Sequence, residues 1–398
     1  MFQALAYPAA TRGTIVLWGL LASAPFGGMT WQVLHHLVGL RRLGFDVWYV
    51  EDSDRLVYDP TTYWPTTDYA PNVAYLAQQM ARVGLGERWI FRPPAQDEMC
   101  CGARDRAGLR RLYREADAVL NLCGAQELRP EHQAIRCRVY VETDPVASQI
   151  GVALGHRPTI EALAAHHHLF TYGANLGAPD CGVPLARFQW HPTRPPVCVD
   201  WWAPTVPPAA EAALTTVANW KHTGRDIVWQ GETYSWSKHH EFLRFLDLPS
   251  RTSLPLELAL GTLDEADRTT LQHHGWRLVP AVQVADPGAY RSYIRASRGE
   301  FTVAKDQNIR LRSGWFSDRS ACYLAAGRPV ITQDTGFGNF LPTGVGLFAF
   351  TTAQDAIEAM AMIAQDYTRH AAAARHIAEE FFAAEHVLGD MLRQIGLL

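Results

Sequence analysis

The sequence predicts an α/β protein of two Rossmann-like halves, each a parallel sheet flanked by helices, facing one another across a cleft. Three observations carry this. A strand, a Gly-containing loop, a helix and a second strand follow one another between Thr14 and Val50, and such βαβ units build parallel sheets. The Pro- and Trp-rich stretch "WHPTRPPVCVDWWAPTVPPAA" interrupts the middle of the chain, as a linker does. A second series of strands and helices then begins. At 398 residues the chain is also long for a single core, so two domains are expected on size alone.

In the first half, "TIVLWGL" (Thr14–Leu20) is apolar throughout and reads as a strand buried on both faces. With Arg12 before it and "ASAPF" after it the run imitates a secretory signal, but the βαβ pattern that follows favours the strand. No apolar run reaches the roughly 18 residues that cross a bilayer. "LASAPFGG" reads as a loop closing on Gly27 and Gly28. "MTWQVLHHLVGLRRLG" is a helix with Val33, Leu37 and Leu40 on one side and Gly44 as its stop. "DVWYV" is the second strand, ending in Glu51-Asp52. "NVAYLAQQMARVG" is a helix, and "ADAVLNLCG", "CRVYVETDP" and "HLFTYGAN" are strands.

The domain boundary falls between about Arg194 and Ala210. Beyond it "DIVWQG" reads as a strand and "SKHHEFLRFLDLP" as an amphipathic helix. "LPLELAL" is a strand, and "DPGAYRSYIRAS" a helix with Asp286 as N-cap and Pro287 at its first position. "EFTVAK" and "RPVITQ" are strands. The Ala-rich tail from Ala353 to Leu398 is helical. The organisation expected is a first domain over 1–195, a second over 196–375 and a closing helix over 376–398.

Composition narrows the function. A net charge of −4 with no long basic block points away from nucleic acid as the main partner. The seven cysteines are odd in number and form no C-x-x-C pair, which suits reduced thiols in the cytoplasm and leaves no zinc motif. The histidine runs His166–His168, His239–His240 and His273–His274 do not space imidazoles for one metal, since adjacent helical residues point apart. No metal is therefore expected.

The chemistry is sought at strand ends, where open parallel sheets bind ligands. "SGWFSDRSACYLAAGRPVITQDTG" places Ser317 as an N-cap, Asp318 at the positive helix end and a short helix ending at Gly327. Small residues in the first turn leave backbone N–H groups accessible, and Arg319 adds charge, so the segment suits an anion. A plain capped helix is the alternative.

This segment resembles the donor site of GT-B-fold glycosyltransferases, in the manner of their families 1 and 4. The likeness rests on Gly314-Trp315, Ser317, Ala326-Gly327-Arg328-Pro329-Val330-Ile331, and Asp334 with Gly336. The N-terminal "GTIVLWGLLASAPFGGMTWQVLHHLVGLRRLGFDVWYVED" is similar to the family's opening strand, Gly-Gly loop, helix and strand. The resemblance implies C-terminal helices that pack back on the first domain, and transfer of a sugar from a nucleotide-diphosphate donor without a metal or other cofactor. It implies Ser317, Asp318 and Arg319 at the donor diphosphate, and Lys238 and Lys305 as basic groups beside it. Gly27 and Gly28 would let the backbone approach donor and acceptor, and Asp334 with Thr335-Gly336 would face sugar hydroxyls. Simple turns at Gly27-Gly28 and at Asp334, and a solvated Lys238, are the alternatives.

One departure matters. Many retaining members carry Glu-x7-Glu where this chain has Gly314 and Cys322, which favours an inverting enzyme with a general base from the first domain. Asp144 and Glu142 are the first candidates, ahead of Asp52 and His35. The acceptor is left open, a small aromatic or apolar molecule being one candidate. A sugar-nucleotide 2-epimerase and a non-catalytic binding subunit are the competing readings.

Overall fold

The computed structural model describes residues 11–96, 98–203 and 206–398. In the first lobe the strands are β1 (Thr14–Trp18), β2 (Asp46–Glu51), the hairpin strands β3 (Val57–Tyr58) and β4 (Pro65–Thr66), β5 (Trp89–Phe91), β6 (Cys101–Gly102), β7 (Ala118–Leu122), β8 (Cys137–Glu142), β9 (His168–Thr171) and β10 (His191–Pro192). Eight of them form one sheet in the order β10-β9-β8-β7-β1-β2-β5-β6, parallel except at the edge strand β6. The central strand explains why "TIVLW" alternates nothing: Ile15 and Leu17 enter one core and Val16 and Trp18 the other, so both faces need apolar side chains.

The second lobe carries β11 (Leu214–Ala218), β12 (Ile227–Trp229), β13 (Glu232–Tyr234), β14 (Leu256–Leu260), β15 (Arg277–Pro280), β16 (Gly299–Thr302), β17 (Val330–Gln333) and β18 (Leu347–Phe350). Six form a parallel sheet in the order β15-β14-β11-β16-β17-β18. Here the sequence reading is corrected. "DIVWQG" is not a sheet strand; it is the first arm of a β12–β13 antiparallel hairpin outside the sheet, turning at Gln230 and Gly231, both with positive φ. The lobe's central strand is β11, "LTTVA", whose Thr215 and Thr216 are buried and which directly follows the Pro-rich stretch.

Two chain crossings join the lobes. Val197 pairs with Ala383, its N–H donating to the Phe382 carbonyl at 2.7 Å. The expected boundary at 375 falls inside the continuous helix Tyr367–Phe381, and the following helix, Ala384–Gln394, lies on the first lobe's Gly27–Arg42 helix. Gly39 permits that crossing: a Cβ there would lie 2.6 Å from Leu388 Cδ1 and 2.8 Å from Ala384 Cβ. The expected C-terminal helix that returns to the first lobe is thus present.

Candidate active site in the inter-lobe cleft

Each sheet reverses its strand order once. In the second lobe the chain runs from β11 outward to β14 and β15, then returns to β16 on the other side of β11. The crevice beyond the ends of β11 and β16 is where open α/β sheets bind ligands. Arg319, in the first turn of the helix Asp318–Ala325, reaches into it. Its Nη1 donates to the Val217 carbonyl of β11 at 2.8 Å, its Nη2 to the Thr302 hydroxyl of β16 at 2.9 Å, and its Nε to Glu300 at 2.5 Å. Glu300 is fully buried.

Two lysines join this cation. Lys238, immediately before the helix His239–Leu243, sits with its ammonium 5.3 Å from the centre of the Trp315 ring. Burial, with Arg319 and Lys305 nearby, pushes its pKa down to about 7. Lys305 lies beyond the end of β16 as the N-cap of the helix Asp306–Arg310, not within the strand. Its ammonium is 2.6 Å from Asp144 of the first lobe and 3.5 Å from the centre of the Trp236 ring.

The Ser317 segment faces the cleft, but its chemistry differs from expectation. Ser317 has N-cap backbone angles, yet its side chain makes no cap. Asp318 Oδ1 accepts from the Arg319 backbone N–H at 2.9 Å, so the chain's own carboxylate already holds a first-turn donor. Asp334, Thr335 and Gly336 are tied into the framework. Asp334 accepts from Arg312 at 2.8 Å and from the Gly336 N–H at 2.8 Å, which is the Asx turn. The Thr335 hydroxyl donates to the Trp315 carbonyl at 2.6 Å.

The Ser313–Trp315 turn rests on the first lobe, where the Asn175 N–H donates to the Ser313 carbonyl at 3.0 Å. Gly314 has φ +77°, and a Cβ there would lie 2.3 Å from the Asn175 backbone nitrogen. Gly314→Ala is therefore expected to destabilise by at least about 2 kcal/mol, combining left-handed strain with a backbone clash; a midpoint in urea equal to that of the wild type would contradict it. The Trp315 indole donates to the Thr143 carbonyl at 2.9 Å, from the second lobe to the first.

Gly27 and Gly28 are not in a free loop. They open the helix Gly27–Arg42, and the close approach Gly27 allows is to the second lobe, since a Cβ there would lie 3.0 Å from both the Ala285 carbonyl and Tyr290 Cβ. The carboxylates at the end of β8 part company. Asp144 faces Lys305 across the cleft. Glu142 turns into the first lobe, accepting from Thr171 at 2.6 Å and Gln149 at 2.8 Å, with its Oε1 unbonded. Burial pushes Glu142 up to about 7.

The other base candidates are excluded by their surroundings. Asp52 is fully buried between Arg92 and Arg129. Burial alone would raise it, but hydrogen bonds from His132 and Arg92 and the charges of Arg129 and Arg92 hold it below the usual carboxylate range. His35 is buried with both ring nitrogens engaged, the Cys198 backbone nitrogen lying 3.1 Å from Nδ1 and the Trp202 indole nitrogen 3.1 Å from Nε2, and burial, then His36, push its pKa down to about 3. Among the described residues, Asp52, Glu131 and His132 bring potential metal ligands together. Arg92, Arg106 and Arg129 already neutralise those carboxylates, so the group suits no cation.

Between the lobes Gly28, Gln32 and Tyr172 face Tyr290, Asp318 and Arg319 around a cavity of about 10 Å³. That admits one water and no larger guest. Sequence reasoning missed Glu300 and Trp236. The signal for Glu300 was a carboxylate opening an otherwise buried strand, which demands a partner.

No protein-family model and no curated protein matches the sequence. Solved structures do match in fold. One is Alr3699/HepE of Anabaena in complex with UDP and glucose, 12% identical, with a TM-score of 0.56, covering 97% of this chain and 100% of that one. Another is AviGT4, a glycosyltransferase involved in avilamycin A biosynthesis, 11% identical with a TM-score of 0.51 over 96% of both chains. A third is an alpha-glucosyltransferase in complex with UDP, 8% identical with a TM-score of 0.60 over 96% of this chain and 99% of that one; related structures of that enzyme also contain DNA. These likenesses extend over nearly the whole chain, through both sheets and the returning helix, and they establish that this protein has the GT-B fold.

Proposed function

We propose that the protein is a glycosyltransferase that moves a sugar from a nucleoside-diphosphate donor to an acceptor hydroxyl, with inversion and without a metal. The observation that carries this is Arg319 at the strand-order reversal of the second sheet, with Lys238 and Lys305 beside it and a first-lobe carboxylate opposite. The leaving diphosphate gains negative charge as the glycosidic bond breaks, and fixed cations at that point stabilise the transition state more than the ground state. Asp144 is assigned as the general base. It takes the proton of the acceptor hydroxyl, whose oxygen attacks the anomeric carbon as the bond to the diphosphate breaks on the far face. Glu142, turned into the first lobe by Thr171 and Gln149, is the second candidate for the base.

Inversion is supported by Gly314 and Cys322 standing where many retaining glycosyltransferases of this fold carry glutamates. The donor enters when the lobes open, and closure then excludes water. Among the described residues no helix is long and apolar enough to cross a membrane. All seven cysteines are free thiols, which supports a reducing, cytoplasmic compartment. The net charge supports a small acceptor over DNA.

Thermal-shift and calorimetric titration with UDP, GDP and ADP tests the donor site. At least one is expected to raise Tm and bind with micromolar affinity; no response to any of them overturns the proposal. Release of UDP from UDP-glucose only with acceptor present distinguishes transfer from epimerisation, and saturable duplex DNA binding at physiological salt would replace the small acceptor.

Lys238 gives a pH signature. Its folded pKa is near 7 without ligand, and an adjacent diphosphate raises it, so binding takes up a proton above that pH. Diphosphate affinity is expected to fall by up to about tenfold per pH unit above 7. In Lys238→Met the affinity should be lower at pH 7 and the slope gone; a slope unchanged in that variant refutes the role.

A further inference from the structure

Lys305 has two suitors. Its ammonium is held at 2.6 Å by Asp144, a residue of the other lobe, and rests on the Trp236 ring. It stands beside the same crevice as Arg319 and Lys238, near enough that its charge and that of Arg319 help lower the Lys238 pKa. Without ligand three basic side chains, Lys238, Lys305 and Arg319, face three acidic ones, Asp144, Asp318 and Glu300. A diphosphate brings further negative charge, which favours one of the carboxylates yielding its cation.

Only one of them can. Glu300 is fully buried in the second sheet and is Arg319's support. Asp318 is fixed in the same helix turn as Arg319. Asp144 is 45% exposed and moves with the first lobe, so it can part from Lys305 into water at small cost.

The geometry points to an exchange at Lys305: Asp144 occupies the cation until the donor diphosphate displaces it, and the displaced carboxylate becomes the general base. This rests on the glycosyltransferase reading and deepens it. Asp144 is masked while the donor is absent and unmasked once it binds. Donor therefore binds before acceptor. In the transfer step the acceptor proton passes to Asp144, the acceptor oxygen bonds to the anomeric carbon, and the departing electron pair goes to the diphosphate oxygen that Lys305 neutralises. Asp144 thus opposes binding of the first substrate and serves the second.

The test is calorimetry on the full chain with UDP and with inorganic pyrophosphate, which carries the shared chemistry whatever the base. Asp144→Asn is expected to tighten both by about two- to fivefold, the scale of a partly exposed ion pair, while transfer is lost. Lys305→Met should weaken both, and adding Asp144→Asn to it should then change nothing, as a double-mutant cycle requires. Asp144→Ala should repeat the Asp144→Asn result. Unchanged or weaker binding in Asp144→Asn overturns the exchange, as does equal tightening in the Lys305→Met background. If the wild type binds the ligands and Arg319 variants do not, those outcomes sink the exchange alone; if the wild type binds neither they nor any other nucleoside diphosphate, the function itself falls and the exchange with it.

Discussion

Arg319→Ala is expected to abolish diphosphate binding and to destabilise the second lobe by about 3–5 kcal/mol. Two effects combine. The guanidinium is the cation placed at the reversal of strand order, and its loss removes the charge that a diphosphate would meet there. Glu300, fully buried, would also be left without its ion partner, and one of its oxygens already lacks a hydrogen bond. The two effects separate in a double variant. Arg319→Met with Glu300→Gln keeps the volume and removes both charges, so stability should largely return while UDP binding does not. Urea unfolding and calorimetric titration on the same preparations check this. Recovery of binding along with stability would show that Arg319 only supports the fold.

Asp52→Asn should be about as costly, again about 3–5 kcal/mol, but in the first lobe and without a direct effect on the crevice. The carboxylate is the shared acceptor for Arg92, Arg129 and Tyr113 and has no exposure of its own. Removing its charge takes the buried ion partner from Arg92 and one of the carboxylate partners from Arg129. The same group makes the lobe acid-labile. Its folded pKa is depressed below the ordinary value of 3.8, so its contribution is complete above the unfolded-state pKa and is lost as pH falls below about 4. Stability of the wild type should drop in that window, and the Asp52→Asn variant should lose that part of the slope. Equal acid slopes in both proteins would show that Asp52 is not the cause.

Much of the fold was legible because its signals are local. "TIVLW" and "DVWYV" are buried on both faces, so apolar runs mark them directly. The Asp318–Ala325 helix was bounded by Ser317 and by Gly327, whose φ of +64° suits a helix stop. "DIVWQG" misled for an equally physical reason. Its β-branched and aromatic residues suit any strand, and the turn at Gln230-Gly231 that makes it a hairpin resembles an ordinary strand end. β11 was hidden because the strands bordering the crevice carry buried polar side chains, Thr215 and Thr216 in β11 and Glu300 and Thr302 in β16, which breaks the apolar pattern where a ligand site lies.

The site was legible as a list and not as an arrangement. Sequence alone determined the two α/β halves, the helix that begins at Asp318, and a set of basic and acidic residues at strand ends, since each is written in neighbouring residues. The tertiary structure decided that Asp318 and not the Ser317 side chain holds the Arg319 N–H, that Glu142 turns inward, and that Asp144 meets Lys305. The last pair stands 161 positions apart. Such partners are chosen by how two separately folded sheets come to rest against each other, and no local periodicity records that choice.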